Sequence, residues 1–205
     1  MRIKKVVMLL ILICTIVNCD LMQVKTEREF NKKLSVKLPS PTDKPIKYIN
    51  IPDINFRNVV LNILNKSLDF KITEKDVLSI KKIDGSDKQI KDITGIRYFK
   101  NLEVLCLCNN QIENIYDLNT NMKLCDIDLH NNKIVDITNI RGLISIEKLN
   151  LNNNLIEDVS HINFNRNMYN NAIVYLQDNP LSNESINIYI PVLIANGIKI
   201  IYDKK

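Results

Sequence analysis

Cys106, Cys108, Asp126, Asp128 and His130 put the chain's most reactive side chains into one short stretch. Thiolate, imidazole and carboxylate are zinc-ligand types. A thiol beside an imidazole is also the pairing of a cysteine nucleophile with its base. Even spacing places Cys106 and Cys108 on one side of an extended segment, and Asp126, Asp128 and His130 on one side of another. If those two segments are neighbouring strands, Cys108 stands beside His130 and Cys106 beside Asp128. A Cys106–Cys108 disulfide is disfavoured, because Cβ atoms at i and i+2 of a strand lie farther apart than the ~3.8 Å a bridge takes. Cys125 is out of step with both thiols. The paired C-x-x-C or H-x-x-x-H spacing of most zinc sites is missing, and an open strand face offers neither an oxyanion hole nor a substrate cleft. The expectation is no enzyme, no cofactor and no metal. A metal site at Cys106, Cys108, Asp128 and His130 is the remote alternative.

These residues are held by a repeat. Leu102-Leu105-Leu107-Asn110-Ile112-Ile115-Leu118 is followed by Leu124-Ile127-Leu129-Asn132-Ile134-Ile137-Ile140, then by Ile146-Leu149-Leu151-Asn154-Ile156-Val159-Ile162. Asn110, Asn132 and Asn154 stand 22 residues apart, as do Ile112, Ile134 and Ile156. This is the leucine-rich repeat signature. Its L-x-L core predicts a short strand with alternate side chains inward. Its later three-residue spacing predicts a 3₁₀ or irregular return. The Asn falls where the strand turns away and its backbone loses ladder partners, which an amide can replace by both donating and accepting. One coil cannot bury its own apolar edge, but a stack can. A degenerate first coil runs through Ile80, Ile83, Gly85, Lys88, Ile90, Ile93 and Ile96, with Gly85 in place of a core Leu and Lys88 in place of the Asn. The last good copy is Val174-Leu176-Asn179-Leu181, 25 residues on from Asn154, so extra residues are expected within 163–171. That makes about five parallel strands. Asn110, Asn132, Asn154 and Asn179 are assigned to a structural ladder.

Composition excludes several functions. The 205 residues and 45% hydrophobic content suit one domain with a real core. The formal charge of +5 falls to +2 once Arg2, Lys4 and Lys5 are set aside with the leader, too little to argue for nucleic acid. Three positive charges precede an apolar run from Val6 to Val17, too short to span a bilayer and right for a signal peptide. Ile16-Val17-Asn18-Cys19 then resembles a bacterial lipoprotein box, with Asn18 where Gly, Ala or Ser is usual. That resemblance implies removal of residues 1–18 and lipid attachment at Cys19. Residues 19–45 are charged and punctuated by Pro39, Pro41 and Pro45, so a flexible tether is expected.

Residues 46–79 are expected to form a helical N-terminal cap. Asp53 is a candidate N-cap, and Phe56, Val59, Val60, Ile63 and Leu64 mark one apolar helix face. Thr73 with Asp76 three residues on marks a second helix start. The repeats fill 80–181. Residues 182–205 form a helix-plus-strand C-terminal cap: Ser182 starts the helix, Pro191 kinks it or begins a second turn, Gly197 ends it, and 198–202 is a strand. The residues Ile49-Asn50-Ile51-Pro52-Asp53, Asn55-Phe56-Arg57 and Ile72-Thr73-Glu74, with Asn179-Pro180-Leu181-Ser182 at the far end, resemble the caps of bacterial internalin-like leucine-rich repeat proteins. The resemblance runs from about residue 46 to the end and implies an α/β solenoid that recognises protein.

In such a solenoid the outward strand residues line the concave face. They are Lys82, Asp84 and Ser86; Val104, Cys106 and Cys108; Asp126, Asp128 and His130; Lys148, Asn150 and Asn152; and Ile173, Tyr175 and Gln177. With strands ~4.8 Å apart, five make a patch roughly 20–25 Å wide, enough for a modest protein contact. His161 is expected on the outer surface. The reading is a monomeric, lipid-anchored protein of the bacterial envelope, at the outer membrane or cell surface rather than the inner membrane. It binds another protein, of the host or of the envelope. The competing reading is a periplasm-facing scaffold lipoprotein with no host partner.

Overall fold

The computed structural model describes residues 46–163 and 172–204. The expected leader, Cys19 and the tether lie outside the described residues, as does 164–171 within the lengthened coil. Helix α1 (Ile54–Leu64) and the single turn α2 (Glu74–Val77) precede six short strands: β1 (Lys82–Asp84), β2 (Val104–Cys106), β3 (Asp126–Asp128), β4 (Lys148–Asn150), β5 (Ile173–Tyr175) and β6 (Lys199–Ile201). All pair in parallel in sequence order, so each coil lies directly on the previous one. The fold is an α/β leucine-rich repeat solenoid. The register steps from Lys82 to Val104, Asp126 and Lys148, then to Ile173, so the coil after β4 carries the extra residues. The strand of the C-terminal cap does not sit apart: β6 extends the same sheet as a sixth member.

The core follows from the alternation. Ile83, Leu105, Ile127, Leu149 and Val174 are completely buried at the strand centres, with Leu107, Leu129, Leu151 and Leu176 closing the next layer. The returns are 3₁₀ turns at Ile96–Tyr98, Tyr116–Thr120 and Thr138–Gly142, as the three-residue spacing predicts. The lengthened coil instead makes one α-helical turn, α3 (Ser160–Asn163). Successive returns approach closely, and the Gly142 backbone lies against the Asn119 carbonyl.

The N-terminal cap replaces a missing neighbour for the first coil. Phe56 stacks near Phe99 with ring centroids 6.4 Å apart, and Val59 lies over Gly85. That contact gives the glycine its reason, because a leucine there would occupy the space that the helix takes. The buried face of α1 differs from the periodic expectation: Leu61 is 1% exposed and Ile63 is 39% exposed. The segment after the helix folds back along it, with Lys66 N–H on the Leu61 carbonyl and Arg57 on the Phe70 carbonyl at 2.6 Å. Leu61 joins the continuous hydrophobic core, whereas Ile63 in the last turn stays outside it. The second cap reads as expected, with the Asp76 carboxylate accepting from the Thr73 N–H at 2.8 Å and hydroxyl at 2.6 Å.

Asp53 fastens the cap to the stack. One carboxylate oxygen accepts from the N–H groups of Asn55 and Phe56 at the start of α1, both at 2.9 Å. The other accepts from Lys91 at 2.8 Å and Asp92 at 3.1 Å in the first coil. Partial burial pushes this carboxyl up, but the four N–H donors together outweigh it and hold it below the usual aspartate value. A depressed folded-state value contributes stability above the unfolded pKa of ~3.9 and loses it as pH falls through the folded value. The urea midpoint is therefore expected to fall more steeply below about pH 4 in the wild type than in Asp53→Asn, which starts lower. Parallel pH profiles of the two would remove this role from Asp53.

At the far end, Ser182 Oγ accepts from the Ser185 N–H at 3.1 Å, as a helix start should. The helix then widens through a π turn at Ser185–Tyr189, with Ile190 N–H reaching the Ser185 carbonyl, before α4 (Ile190–Ala195). Pro191 explains the widening. Its ring would clash with the carbonyl four residues back in a regular helix, and a wider turn relieves that clash.

Candidate functional site on the strand face

The ladder asparagines take no part in an exposed surface. Asn110, Asn132 and Asn154 are buried, and Asn179 is half-buried. Each Oδ1 accepts from the preceding coil: Ile90 into Asn110 at 2.9 Å, Ile112 into Asn132 at 3.0 Å, Ile134 into Asn154 at 3.0 Å and Ile156 into Asn179 at 3.1 Å. Each Nδ2 donates to one carbonyl of the preceding coil and to others of its own, as Asn132 does to Leu107 and Leu129, both at 3.0 Å. Beside this row runs a second one that the sequence reading did not single out. Asp87, Asn109, Asn131, Asn153 and Asp178 all adopt positive φ, the left-handed conformation that Asn and Asp tolerate best. Asn131 donates to Asn109 at 2.6 Å and Asn153 to Asn131 at 2.7 Å. Their fixed position beside each ladder Asn is the signal that could have exposed them.

The outward residues of the sheet fall into rows with different duties. Asp84, Asp128 and Asn150 form one row, and each side chain turns back to accept the N–H two residues later: Ser86 at 3.2 Å, His130 at 3.1 Å and Asn152 at 3.2 Å. The Ser86 N–H and hydroxyl, against slight burial, hold the Asp84 carboxyl below its ordinary value. In the next row Asn152 Oδ1 accepts the Gln177 N–H at 2.8 Å. These residues end the strands as well as facing outward. The remaining row is Lys82, Val104, Asp126, Lys148 and Ile173, joined by Lys199 of β6. Asp126 and Lys148 are register neighbours, yet among the described residues they close no ion pair. Tyr175 and Ile201 lie beside this row at the β5–β6 end. The repeat pattern does not reveal Lys199 and Ile201, because the cap strand lies outside its period.

The reactive cluster assembles as the spacing predicts, with one change. Cys106 pairs in register with Asp128, and the Cys106 and Cys108 sulfurs are 3.8 Å apart, both free thiols. Cys108 is only 9% exposed, so it forms the floor of the face and does not project from it. His130 Nδ1 bonds to Asp128 Oδ1 at 2.6 Å, which orients the ring toward the carboxylate. Cys106 Sγ, Cys108 Sγ and an Asp128 carboxylate oxygen lie within 4.8 Å of one another. Burial, the neighbouring Cys106 and the Asp128 charge push the Cys108 thiol up, against the Ser86 hydroxyl, which is the opposite of what activates a cysteine. Cys125 bonds to the Glu103 carbonyl at 3.3 Å in a separate row. His161 is half-buried on the outer return, bonded to Thr138 Oγ1 at 3.1 Å and Arg141 at 2.5 Å, and is more integrated than a free surface residue.

A parallel strand at every coil, a polar amide ladder and a 3₁₀ return define a leucine-rich repeat protein. The fold is internalin-like. It is similar to an internalin (InlF) from Listeria monocytogenes, with TM-score 0.60 and 24% identity over 83% of this chain and 55% of that one. It is also similar to a leucine-rich repeat protein of Leptospira interrogans, with TM-score 0.54 and 22% identity over 61% of this chain and 32% of that one. A third likeness is to the functional domain of InlJ from Listeria monocytogenes, which includes a cysteine ladder: TM-score 0.52 and 19% identity over 69% of this chain and 40% of that one. The chain thus spans about half the length of the InlF structure and less of the other two. Among the described residues of this chain, Cys106 and Cys108 share one strand end and Cys125 lies in another row, so these three thiols do not step from strand to strand. No protein-family model matches the sequence, and neither does any curated protein.

Proposed function

We propose that this is a lipid-anchored envelope protein that binds another protein through the outward row Lys82, Val104, Asp126, Lys148, Ile173 and Lys199, with Tyr175 beside it. The observation that carries the reading is the division of labour between rows. Asp84, Asp128, Asn150 and Asn152 serve their own backbone, whereas Asp126 and Lys148 lie side by side without closing on each other. Charges left open beside half-buried apolar groups are what an electrostatically matched partner can engage. No helix among the described residues is long and apolar enough to cross a membrane; the lipoprotein-like box ending at Cys19 is what supports the lipid anchor.

Two experiments test the two halves of this reading. A photoreactive residue at Lys148 is expected to give one discrete adduct in intact cells, and the same group at Asn139 on the outer return none. Equal labelling from both positions would remove the strand face as the binding surface. Protease shaving of intact cells is expected to degrade the protein, and Cys19→Ala to release it from membranes. Protection until the outer layer is broken would instead favour the scaffold reading. Retention of Cys19→Ala on membranes would overturn lipid attachment.

A further inference from the structure

The floor of the strand face has the geometry of a metal site. Two thiolates at ~2.3 Å from a tetrahedral zinc ion lie ~3.8 Å apart. Cys106 and Cys108 already hold their sulfurs 3.8 Å apart, without a bond between them. The C-x-C spacing achieves this at a strand end: β2 stops at Cys106, and the turning backbone lets Cys108 swing in beside it. A linear two-coordinate ion would need the sulfurs nearly twice the metal–sulfur distance apart, so the observed spacing favours a tetrahedral one.

The third group is in place as well. Asp128 is the register neighbour of Cys106, and its carboxylate completes the trio within 4.8 Å. Its Oδ1 accepts both the backbone N–H and the ring Nδ1–H of His130, at 3.1 and 2.6 Å. That fixes the carboxylate plane and leaves Oδ2 without a hydrogen bond among the described residues, available as a ligand atom. Histidine here is the outer partner that orients a ligating carboxylate, the reverse of the commoner carboxylate that orients a ligating histidine. Two sulfurs and one carboxylate suit a borderline-soft divalent ion better than calcium or magnesium, which take oxygen alone.

We propose that Cys106, Cys108 and Asp128 form a three-ligand site for a zinc-class divalent cation, with His130 as the positioning residue and a fourth position open to solvent on the strand face. Binding exchanges the two thiol protons for the ion: two S–H bonds break, two metal–sulfur bonds form, and both protons pass to solvent. No redox partner is involved. The site is independent of whether the face binds a protein, because it needs no group outside this chain.

The test uses the full chain, reduced under anaerobic conditions, stripped of metal and titrated with zinc against a chromophoric chelator. One zinc per chain is expected, with two thiols protected from alkylation. Cobalt in place of zinc is expected to give a thiolate-to-metal charge-transfer band. Cys106→Ser and Cys108→Ser should each weaken zinc by tenfold or more, and His130→Ala by roughly 10–100-fold. His130→Asn, which keeps a donor toward Asp128, should recover most of that loss, as a purely steric role for the ring would not allow. Cys125→Ser should leave affinity unchanged. Far-ultraviolet circular dichroism of each variant separates lost ligation from lost folding. Zinc uptake by the Cys106→Ser/Cys108→Ser double variant equal to that of the wild type would overturn the proposal, as would a cobalt complex without the charge-transfer band.

Discussion

Asn132→Ala is expected to lower the unfolding free energy by about 3 kcal/mol and the melting temperature by roughly 10 °C. The mechanism is specific. The Ile112 N–H is buried and has Asn132 Oδ1 as its acceptor at 3.0 Å, so truncation orphans it. The carbonyls lose less. Leu107 keeps the amide of Asn110 and Leu129 keeps that of Asn154, because each of these carbonyls is shared by two ladder residues. One orphaned donor at ~1–3 kcal/mol, together with the weakened shared bonds, sets the size of the loss. Asn132→Asp should be worse than alanine at neutral pH. It keeps the acceptor but turns a charge toward the carbonyls of Leu107, Leu129 and His130. Thermal unfolding checks both, and a melting temperature unchanged in Asn132→Ala would remove the ladder from the stability argument.

Gly142→Ala is expected to cost a similar amount, about 3 kcal/mol, by a different route. A Cβ there would meet the Asn119 carbonyl oxygen at 2.1 Å, its carbon at 2.9 Å and the Asn119 Cα at 3.0 Å. All three are backbone atoms, so no side chain can swing aside, and the returns at Tyr116–Thr120 and Thr138–Gly142 must separate. Gly85→Ala is the control. Its Cβ would meet the Leu107 Cδ2 at 2.9 Å and the Ile90 Cδ1 at 3.1 Å, both tips of flexible side chains. That change should cost only about 1 kcal/mol. Denaturant midpoints of the two variants decide the matter, and a larger loss at Gly85 would contradict the backbone-approach account.

The repeat was legible because its period couples chemistry to geometry. Leu105, Ile127 and Leu149 recur at the spacing that stacks them, and the structure pairs them in that register. Asn110, Asn132 and Asn154 were legible for the same reason, since an amide fixed at a strand end has few other uses. Residues whose role depends on contact between coils were less so. Gly142 looks like any surface glycine until the Asn119 carbonyl is placed beside it. Asn121 is fully buried and donates to the carbonyls of Ile96 and Phe99 at 3.0 Å, a role that period alone does not reveal. On the strand face, alternation identified the outward side chains, but it could not tell Asp126 from Asp128. The difference is the His130 N–H and ring that Asp128 accepts.

The ladder also runs in one direction. Asn110 secures the Ile90 amide, Asn132 that of Ile112, Asn154 that of Ile134 and Asn179 that of Ile156, so each of these four coils is fastened by its successor. Damage at one asparagine should therefore appear upstream: hydrogen exchange in Asn132→Ala should quicken at Ile112 and leave Ile134 protected. The same asymmetry has a bearing on how such chains lengthen. A coil duplicated into the series brings its own asparagine and fastens its predecessor without any change to that predecessor's sequence. Growth by whole coils is thus simple in the C-terminal direction, whereas an added coil at the other end would have to satisfy an Asp53 clasp built for one neighbour alone.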